Sequence, residues 1–179
     1  MRMLPLSLLA LALSACAGTH ARDGASDARD GARAAHVSLA STQGQLARGE
    51  LKLRQAADGV HVSGTLQGLK PGAEHGFHVH EKGDCSALDA SSAGGHYNPT
   101  SSAHGNPLSG PHHAGDVPNV RADASGSAQV DARITGVSLG AANDIIGRAI
   151  VVHADPDDYT SQPAGNSGAR IACGVIEAN

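Results

Sequence analysis

The chain has 179 residues with a formal net charge of −4, so its length suits one domain with a sizeable core and its acidic excess excludes the basic footprint of nucleic-acid-binding proteins. There is no Trp and only one Phe, so a core must be built from Val, Ile, Leu and Ala. The 23 glycines favour a turn-rich all-β domain, and the 11 histidines point to a metal site.

The first residues, MRMLPLSLLALALSAC, place Arg2 before a leucine-rich run and small residues before Cys16. This pattern predicts a secretory signal over residues 1–15, too short to span a bilayer as a mature helix. The final Leu-Ser-Ala-Cys matches a bacterial lipobox, which predicts a lipoprotein signal peptide and a lipidated Cys16 anchored to a membrane on the periplasmic side. An ordinary signal peptide cleaved near Cys16 is the alternative.

Residues 16–35 contain Arg-Asp-Gly-Ala twice, without an apolar stripe and with a glycine in each copy. This composition predicts a flexible tether rather than a helix. The remaining residues, 36–179, are predicted to form the folded domain.

Short strand-like runs recur along this domain, separated by turn signals such as Asp58-Gly59 and Pro71-Gly72. The runs are HVSLA, GELKLRQ, VHVSGTLQ, EHGFHVHE, AQVDARI, RAIVVH and ARIACGVIE. Two regions lack alternation, roughly residues 83–116 and 154–169. Segments this long inside a compact domain are usually functional loops.

The run EHGFHVHE carries the first metal-binding signal. Side chains alternate between the faces of a strand, so His78 and His80 lie on one face and can share one ion. Further candidate ligands follow along the chain: His96, His104, His112, His113, Asp116 and His153. Neutral imidazole suits zinc and copper, and three imidazoles with a carboxylate make a plausible zinc shell.

Cys85 and Cys173 are available to pair with each other in an oxidising compartment if Cys16 is lipidated. The two cysteines are 88 positions apart. A disulfide that closes a loop of this length would stabilise the fold by on the order of 4–5 kcal/mol in the chain-entropy model. Thiolate metal ligation is the weaker alternative, because neither cysteine belongs to a Cys-x-x-Cys pair.

Six segments in order then resemble the copper/zinc superoxide dismutases over most of residues 36–177. They are GFHVHEKGDC, GGHYNP, HGNP, HAGDVPNV, RAIVVHAD and GNSGARIACGVI. The resemblance implies an eight-stranded Greek-key β-barrel or sandwich with long metal-binding and channel loops.

The resemblance also implies how the ligands divide between the metals. His78, His80 and His153 resemble copper ligands, and His96 resembles the imidazole that bridges copper to zinc. In the family, His96 would be released when copper is reduced and would then carry a proton.

The other zinc ligands implied are His104, His113 and Asp116. His113 is preferred to His112 because His113-Ala-Gly-Asp116 matches the family pattern His-x-Gly-Asp. His112 is the alternative ligand in a distorted loop.

Three further residues receive roles from the resemblance. Asp157 is expected to hydrogen-bond one ligand from each metal site, with Asp155 as the competing candidate, and His75 is expected to be a buried, hydrogen-bonded histidine. Arg170 resembles the arginine that attracts the substrate anion. Lys82 is a further candidate for electrostatic guidance.

The function implied is dismutation of superoxide to dioxygen and hydrogen peroxide, with copper as the redox metal and zinc as a structural one. A copper- and zinc-binding lipoprotein without turnover is the alternative. Superoxide and the membrane at Cys16 are the expected partners, nucleic acid is not expected, and the sequence leaves both a monomer and a homodimer open.

Overall fold

The computed structural model describes residues 33–179. Cys16, the predicted signal peptide and most of the predicted tether therefore lie outside the described residues. The first strand begins at Ala34, two residues before the predicted start of the domain at residue 36. Within the described range, no helix is long and apolar enough to cross a membrane.

The regular secondary structure of residues 33–179 is almost entirely β-strand. The elements in chain order are β1 (Ala34–Ser41), β2 (Arg48–Ala56), β3 (Gly59–Gln67), β4 (Glu74–His80), a 3-10 helix (Ser91–Ala93), β5 (Asp116–Arg121), β6 (Ala128–Thr135), β7 (Ala149–His153), β8 (Arg170–Val175) and β9 (Glu177–Ala178).

The first eight strands form one antiparallel sheet in the order β5-β4-β7-β8-β1-β2-β3-β6. The two terminal strands, β5 and β6, contact each other, so the sheet is a nearly closed barrel. Non-consecutive neighbours, β3 with β6 and β4 with β7, produce the crossovers of a Greek key. The predicted eight-stranded barrel is confirmed, and the short β9 adds a pairing to β1.

Alternating burial explains why the chain forms the strands far from the histidines. In β1, Ala35, Val37 and Leu39 are buried while the residues between them are exposed. Strands with one buried face have this period of two. The core is aliphatic apart from Phe77 and Tyr97, in keeping with the composition.

Strands β4 and β7 are buried on both faces. Phe77 and Val79 point into the aliphatic core, and the alternate residues of β4 point to the other face, which loops cover. These loops are the connections from β4 to β5 and from β7 to β8, the two regions without alternation in the sequence. The barrel therefore places the histidines of β4 and β7 under long loops.

Candidate metal centre

Four buried histidines meet on the loop-covered face of β4 and β7. Strand pairing aligns these two strands, with His78 opposite Val151 and His80 opposite Ala149. His78 and His80 lie on the loop-covered face of β4, and His153 ends β7. One nitrogen from each of these three residues and from His96 lies within 4.8 Å of the others, and we refer to this set as the four-histidine group.

A second group shares His96 with the first. It contains His96, His104, His113 and Asp116, again with one ligand atom from each within 4.8 Å of the others. Asp116 is the first residue of β5, whereas the three histidines lie on the loop that precedes it. We refer to these residues as the three-histidine–aspartate group.

His112 lies outside both groups. Its Nδ1 is 3.0 Å from the Gly110 carbonyl oxygen, a contact within its own loop. His113 is buried, and its Nδ1 lies 3.4 Å from Asp116 Oδ1. The structure therefore places His113, rather than His112, beside the carboxylate.

Asp157 connects the two groups. Its Oδ2 accepts a hydrogen bond from His78 Nε2 at 2.8 Å, and its Oδ1 accepts one from His104 Nε2 at 2.9 Å. Asp157 is buried, whereas Asp155 is exposed. Because these bonds hold the protons on Nε2, the Nδ1 lone pairs of both rings are available to metals.

Backbone carbonyls orient the other two rings of the four-histidine group. His80 Nδ1 donates to the Gly94 carbonyl at 3.0 Å, and His153 Nδ1 lies 3.4 Å from the Gly168 carbonyl. Each contact directs Nε2 into the group. His75, which is buried, holds the backbone of this region, because its Nδ1 donates to the His153 carbonyl at 2.8 Å.

Buried nitrogens without a hydrogen-bond partner test whether metals fit these groups. They include His78 Nδ1 and His96 Nε2 in the first group and His104 Nδ1 and His113 Nδ1 in the second. Buried polar atoms are normally satisfied, so lone pairs aimed at a common point indicate a cation site. Four imidazoles suit copper, and three imidazoles with a carboxylate suit tetrahedral zinc.

Burial favours the neutral form of three ligands, His78, His80 and His153. Burial and the nearby His96 lower the pKa of His80 to about 2. Burial also lowers the pKa of His153 to about 4, although its contact with the Gly168 carbonyl opposes the shift. The pKa of His78 falls well below its ordinary value for the same reason, with repulsion from His96 and His153 added. Protons therefore compete weakly with metals for these nitrogens.

Asp116 is held as a carboxylate. Burial alone would raise its pKa, but hydrogen bonds from His96 Nδ1 and from the His113 backbone N–H reverse the effect and lower the pKa below its ordinary value. Burial lowers the pKa of His113 as well, although Asp116 opposes this shift. An anionic oxygen beside three imidazoles is a donor set that suits zinc.

Arg170 lies at the start of β8 and is tied to the loop after β4. Its Nη1 donates to the Ala90 carbonyl and its Nη2 to the Gly94 carbonyl, both at 2.6 Å. The Gly94 oxygen also accepts the bond from His80, so one carbonyl connects the arginine to a ligand ring. Burial lowers the pKa of Arg170, and the charge of Asp89 opposes this shift.

The loop that carries Ala90 and Gly94 is covalently attached to β8. Cys85 and Cys173 form a disulfide with their Cα atoms 5.8 Å apart, as predicted. Cys173 packs with Ala90, Ala93, Ala149 and Val151 in a small apolar cluster beneath this loop. The disulfide and the cluster therefore hold the carbonyls that position Arg170.

A cavity of about 240 Å³ opens beside the four-histidine group. His153 and Arg170 line it, together with residues of the loop between β7 and β8: Gln162, Pro163, Ala164, Asn166, Ser167 and Gly168. Lys82 is not among the lining residues. A small anion in this cavity would lie between an imidazole and a guanidinium group.

Three contributors to the site had no role assigned from the sequence. Asn119 binds both backbone groups of Asp157, with Nδ2 2.9 Å from the carbonyl oxygen and Oδ1 2.8 Å from the amide nitrogen. Gln162 binds both backbone groups of His104. Gly165 adopts a φ of +65°, and a Cβ there would overlap Asp157 Oδ1. Asn119 lies within the segment HAGDVPNV and could have been found there, whereas no sequence signal marks Gln162.

Comparison with known protein families gives a consistent result. The family model for copper/zinc superoxide dismutase (SODC) matches residues 47–176. A superoxide dismutase [Cu-Zn] 2 of Aquifex aeolicus is 44% identical over 149 residues, covering 79% of this chain and 85% of that protein. A superoxide dismutase [Cu-Zn] 2 of Mesembryanthemum crystallinum is 45% identical over 136 residues, covering 72% and 86%.

Solved structures include a similar protein. The crystal structure of a SOD-like protein from Bacillus subtilis superposes with a TM-score of 0.70 at 39% sequence identity, covering 78% of this chain and 96% of that one. The family-model match over residues 47–176 includes β2 to β8 and the loops that carry the two groups.

Proposed function

Because the chain belongs to the copper/zinc superoxide dismutase family, we propose that it converts two superoxide anions and two protons into dioxygen and hydrogen peroxide. The four-histidine group would hold copper, and the three-histidine–aspartate group would hold zinc. Superoxide would bind in the cavity between His153 and Arg170.

The observation that carries this proposal is the position of His96. Its Nδ1 lies 2.7 Å from Asp116 Oδ1 in one group, and its Nε2 is buried without a partner in the other. One imidazole thus offers a nitrogen to each site. A ring that is metallated on both nitrogens must lose its protons, and two nearby dications make this loss possible.

Bound copper supplies one-electron chemistry, accepting an electron from one superoxide and returning it to the next, while zinc has no redox chemistry. The protein must supply protons for the peroxide. His96 Nε2 can hold a proton when it is not metallated and can donate that proton toward the cavity. Its Nδ1, which zinc in the three-histidine–aspartate group would hold, would keep the ring oriented during this transfer.

Arg170 would attract and orient the substrate anion. Its two hydrogen bonds to carbonyls use only part of a guanidinium group that has five N–H donors. The remaining donors are available to an oxygen of superoxide. A cation beside the cavity also raises the rate of encounter with an anion.

The second group would have a structural role. It provides four protein ligands, which complete a tetrahedral zinc shell and leave no position for substrate. Zinc there would connect β5 to the loop that holds three histidines. It would also add positive charge near His96 and so favour the deprotonated ring.

We also propose that the protein is exported and anchored by a lipidated Cys16 on the periplasmic side of a bacterial membrane. The support is the signal-like sequence that ends in Leu-Ser-Ala-Cys16. The Cys85–Cys173 disulfide is in keeping with an oxidising compartment.

The first experiment measures superoxide dismutation by the purified protein with copper and zinc quantified. Rapid turnover that depends on copper and disappears in His78→Ala would support the enzyme and its site together. His112→Ala is the matched control, because His112 lies outside both groups, and it should retain turnover. Full occupancy of both metals without turnover would contradict the proposal and favour a metal-holding lipoprotein.

A second experiment tests the location. Mass spectrometry of membrane-associated protein should identify an acylated N-terminal peptide beginning at Cys16. Cys16→Ser should release the protein from the membrane fraction and leave turnover unchanged. Recovery of unmodified protein from the soluble fraction would contradict the anchor without affecting the proposed activity.

A further inference from the structure

We propose that Gln162 is a positioning residue for the zinc ligand His104 and that it couples the zinc group to the wall of the cavity beside the copper group. This inference rests on the proposed assignment of zinc to the three-histidine–aspartate group. It adds a link between the two metal sites that is separate from Asp157, because Asp157 binds imidazole rings whereas Gln162 binds backbone.

The amide of Gln162 fits both polar groups of the His104 backbone. Gln162 Oε1 accepts a hydrogen bond from the His104 N–H at 3.0 Å, and Gln162 Nε2 donates to the His104 carbonyl at 2.9 Å. Loop backbone outside a sheet must find such partners when it is buried. His104 is buried. The Gln162 amide satisfies its backbone N–H and carbonyl, as a neighbouring strand would.

These two bonds control the direction of the imidazole. The peptide groups on either side of His104 set the orientation of its Cα–Cβ bond, and that bond decides where Nδ1 points. Gly105 N–H donates to Asp116 Oδ2 at 3.2 Å, so the following peptide is also held by the zinc group. With Asp157 on Nε2, the ring and its backbone are fixed at every polar atom except the Nδ1 lone pair.

The same residue belongs to the cavity wall. Gln162 lines the cavity with its chain neighbours Pro163 and Ala164, and His153 and Arg170 line the same cavity. Any displacement of His104 is therefore transmitted through two hydrogen bonds to the residues that shape the substrate cavity. Conversely, the wall helps to hold a zinc ligand.

The loop is organised internally, which makes this attachment effective. Asp158 accepts hydrogen bonds from the Thr160 N–H at 2.9 Å, the Ser161 N–H at 2.8 Å and Asn166 Nδ2 at 3.1 Å. The segment between Asp158 and Asn166 thus behaves as one turn rather than as independent residues. Gln162 presents its amide from the middle of this turn.

Two substitutions separate hydrogen bonding from packing. Gln162→Ala removes both bonds. Gln162→Glu keeps the shape and the acceptor for the His104 N–H, but it places an oxygen against the His104 carbonyl. Gln67→Ala is the matched control, because Gln67 is exposed on β3.

The experiment loads each protein with copper and zinc and measures the release of each metal to a chromogenic chelator at neutral pH. We expect zinc release to accelerate about 10- to 100-fold in Gln162→Ala and to a smaller degree in Gln162→Glu, in the range found when residues that support metal ligands are changed. Copper release should change far less, and Gln67→Ala should match the unsubstituted protein.

A spectroscopic readout accompanies the release rates. Co²⁺ placed in the zinc group has visible absorption that depends on tetrahedral geometry, so both Gln162 variants should alter the band intensities. Unfolding of the metal-free proteins is measured in parallel. A merely structural role would lower metal-free stability and accelerate the release of both metals alike, and that result would overturn the inference.

The remaining outcomes are also decisive. Unchanged zinc release and an unchanged Co²⁺ spectrum in Gln162→Glu would overturn the inference even if Gln162→Ala does not fold. If the unsubstituted protein holds no zinc or Co²⁺ in this group, the assignment of zinc and the inference fail together. If the unsubstituted protein holds zinc and both Gln162 variants behave as it does, the inference alone fails.

Discussion

The Nε2 atoms of His80 and His153 lie 3.3 Å apart. The other nitrogen of each ring faces a backbone carbonyl, so each Nε2 presents a lone pair toward the other. Two lone pairs at this distance repel each other unless a cation lies beside both. The fold therefore maintains an arrangement that a metal ion stabilises.

Acid should destabilise the metal-free protein at a higher pH than carboxylate titration alone would. The folded-state pKa values of His80 and His153 are lowered to about 2 and about 4, below the ordinary 6.5. Below pH 6.5 the unfolded chain binds protons that the folded chain excludes, so stability falls as the pH decreases toward about 4. Each such histidine contributes up to about 1.4 kcal/mol per pH unit in this window.

Denaturant unfolding of the metal-free protein between pH 7.5 and pH 4.5 checks this prediction. The free energy of unfolding should be level above pH 7 and should decline below pH 6.5. His153→Ala removes one of the groups, so its pH dependence should be less steep. A free energy of unfolding that stays constant down to pH 4.5 would contradict the prediction, because it would show that His80 and His153 accept protons in the folded state.

Gly165→Ala should weaken both metal sites. The new Cβ would overlap Asp157 Oδ1 and would lie 2.7 Å from His104 Nε2. The hydrogen bond between Asp157 and His104 would therefore break, or the loop would move. The φ of +65° adds about 1–2 kcal/mol of backbone strain for a residue with a Cβ. Metal content after dialysis against a chelator measures the effect.

Gly44→Ala is the control for backbone strain in this experiment. Gly44 has a φ of +76°, and a Cβ there meets nothing within 4 Å. It should lose stability to a similar degree through strain but retain both metals. Equal metal loss in the two variants would mean that strain, rather than overlap with Asp157, is the cause.

Loss of the Cys85–Cys173 disulfide should lower stability by about 2–5 kcal/mol. Turnover should fall as well, because the disulfide holds the loop whose Ala90 and Gly94 carbonyls position Arg170. The measurement compares unfolding and superoxide dismutation of the protein and its Cys85→Ser/Cys173→Ser variant. Added reductant should reproduce the loss in the unsubstituted protein and have no further effect on the variant.

Replacement of Arg170 should separate charge from positioning. Arg170→Lys keeps the cation but cannot bind two carbonyls in the planar geometry of arginine, so we expect a partial loss of rate. Arg170→Ile removes the cation, and we expect a loss of about tenfold or more together with a weaker dependence on ionic strength. Identical salt dependence in the protein and in Arg170→Ile would exclude steering by this residue.

Lys82→Ala tests whether a second cation guides the substrate. Lys82 does not line the cavity, so any contribution must act through the long-range field. A contribution from Lys82 predicts a reduced rate at low salt and an unchanged rate at high salt. A rate that is unchanged at both would leave Arg170 as the source of guidance near the site.

Local sequence was sufficient for much of the fold and the ligand set. Strand-like runs predicted seven of the eight barrel strands, because a strand with one buried face has a period of two. The remaining strand, β5 (Asp116–Arg121), was not among the predicted runs. The absence of alternation predicted the loops that cover the site. The spacing of His78 and His80 placed two imidazoles on one face of β4, which the structure shows.

Sequence by itself thus determined an all-β domain, a paired set of cysteines and a family whose ligand motifs are all present. Only the tertiary structure decided how these ligands are supported. It placed Asp157 between His78 and His104, and it brought Gln162 to the backbone of His104 across 58 residues of sequence. Such contacts join the loop after β7 to β4 and to the loop after β4, and their partners are set by the path of the whole chain. A polar side chain in a loop has no periodicity that could reveal its partner before the chain has folded.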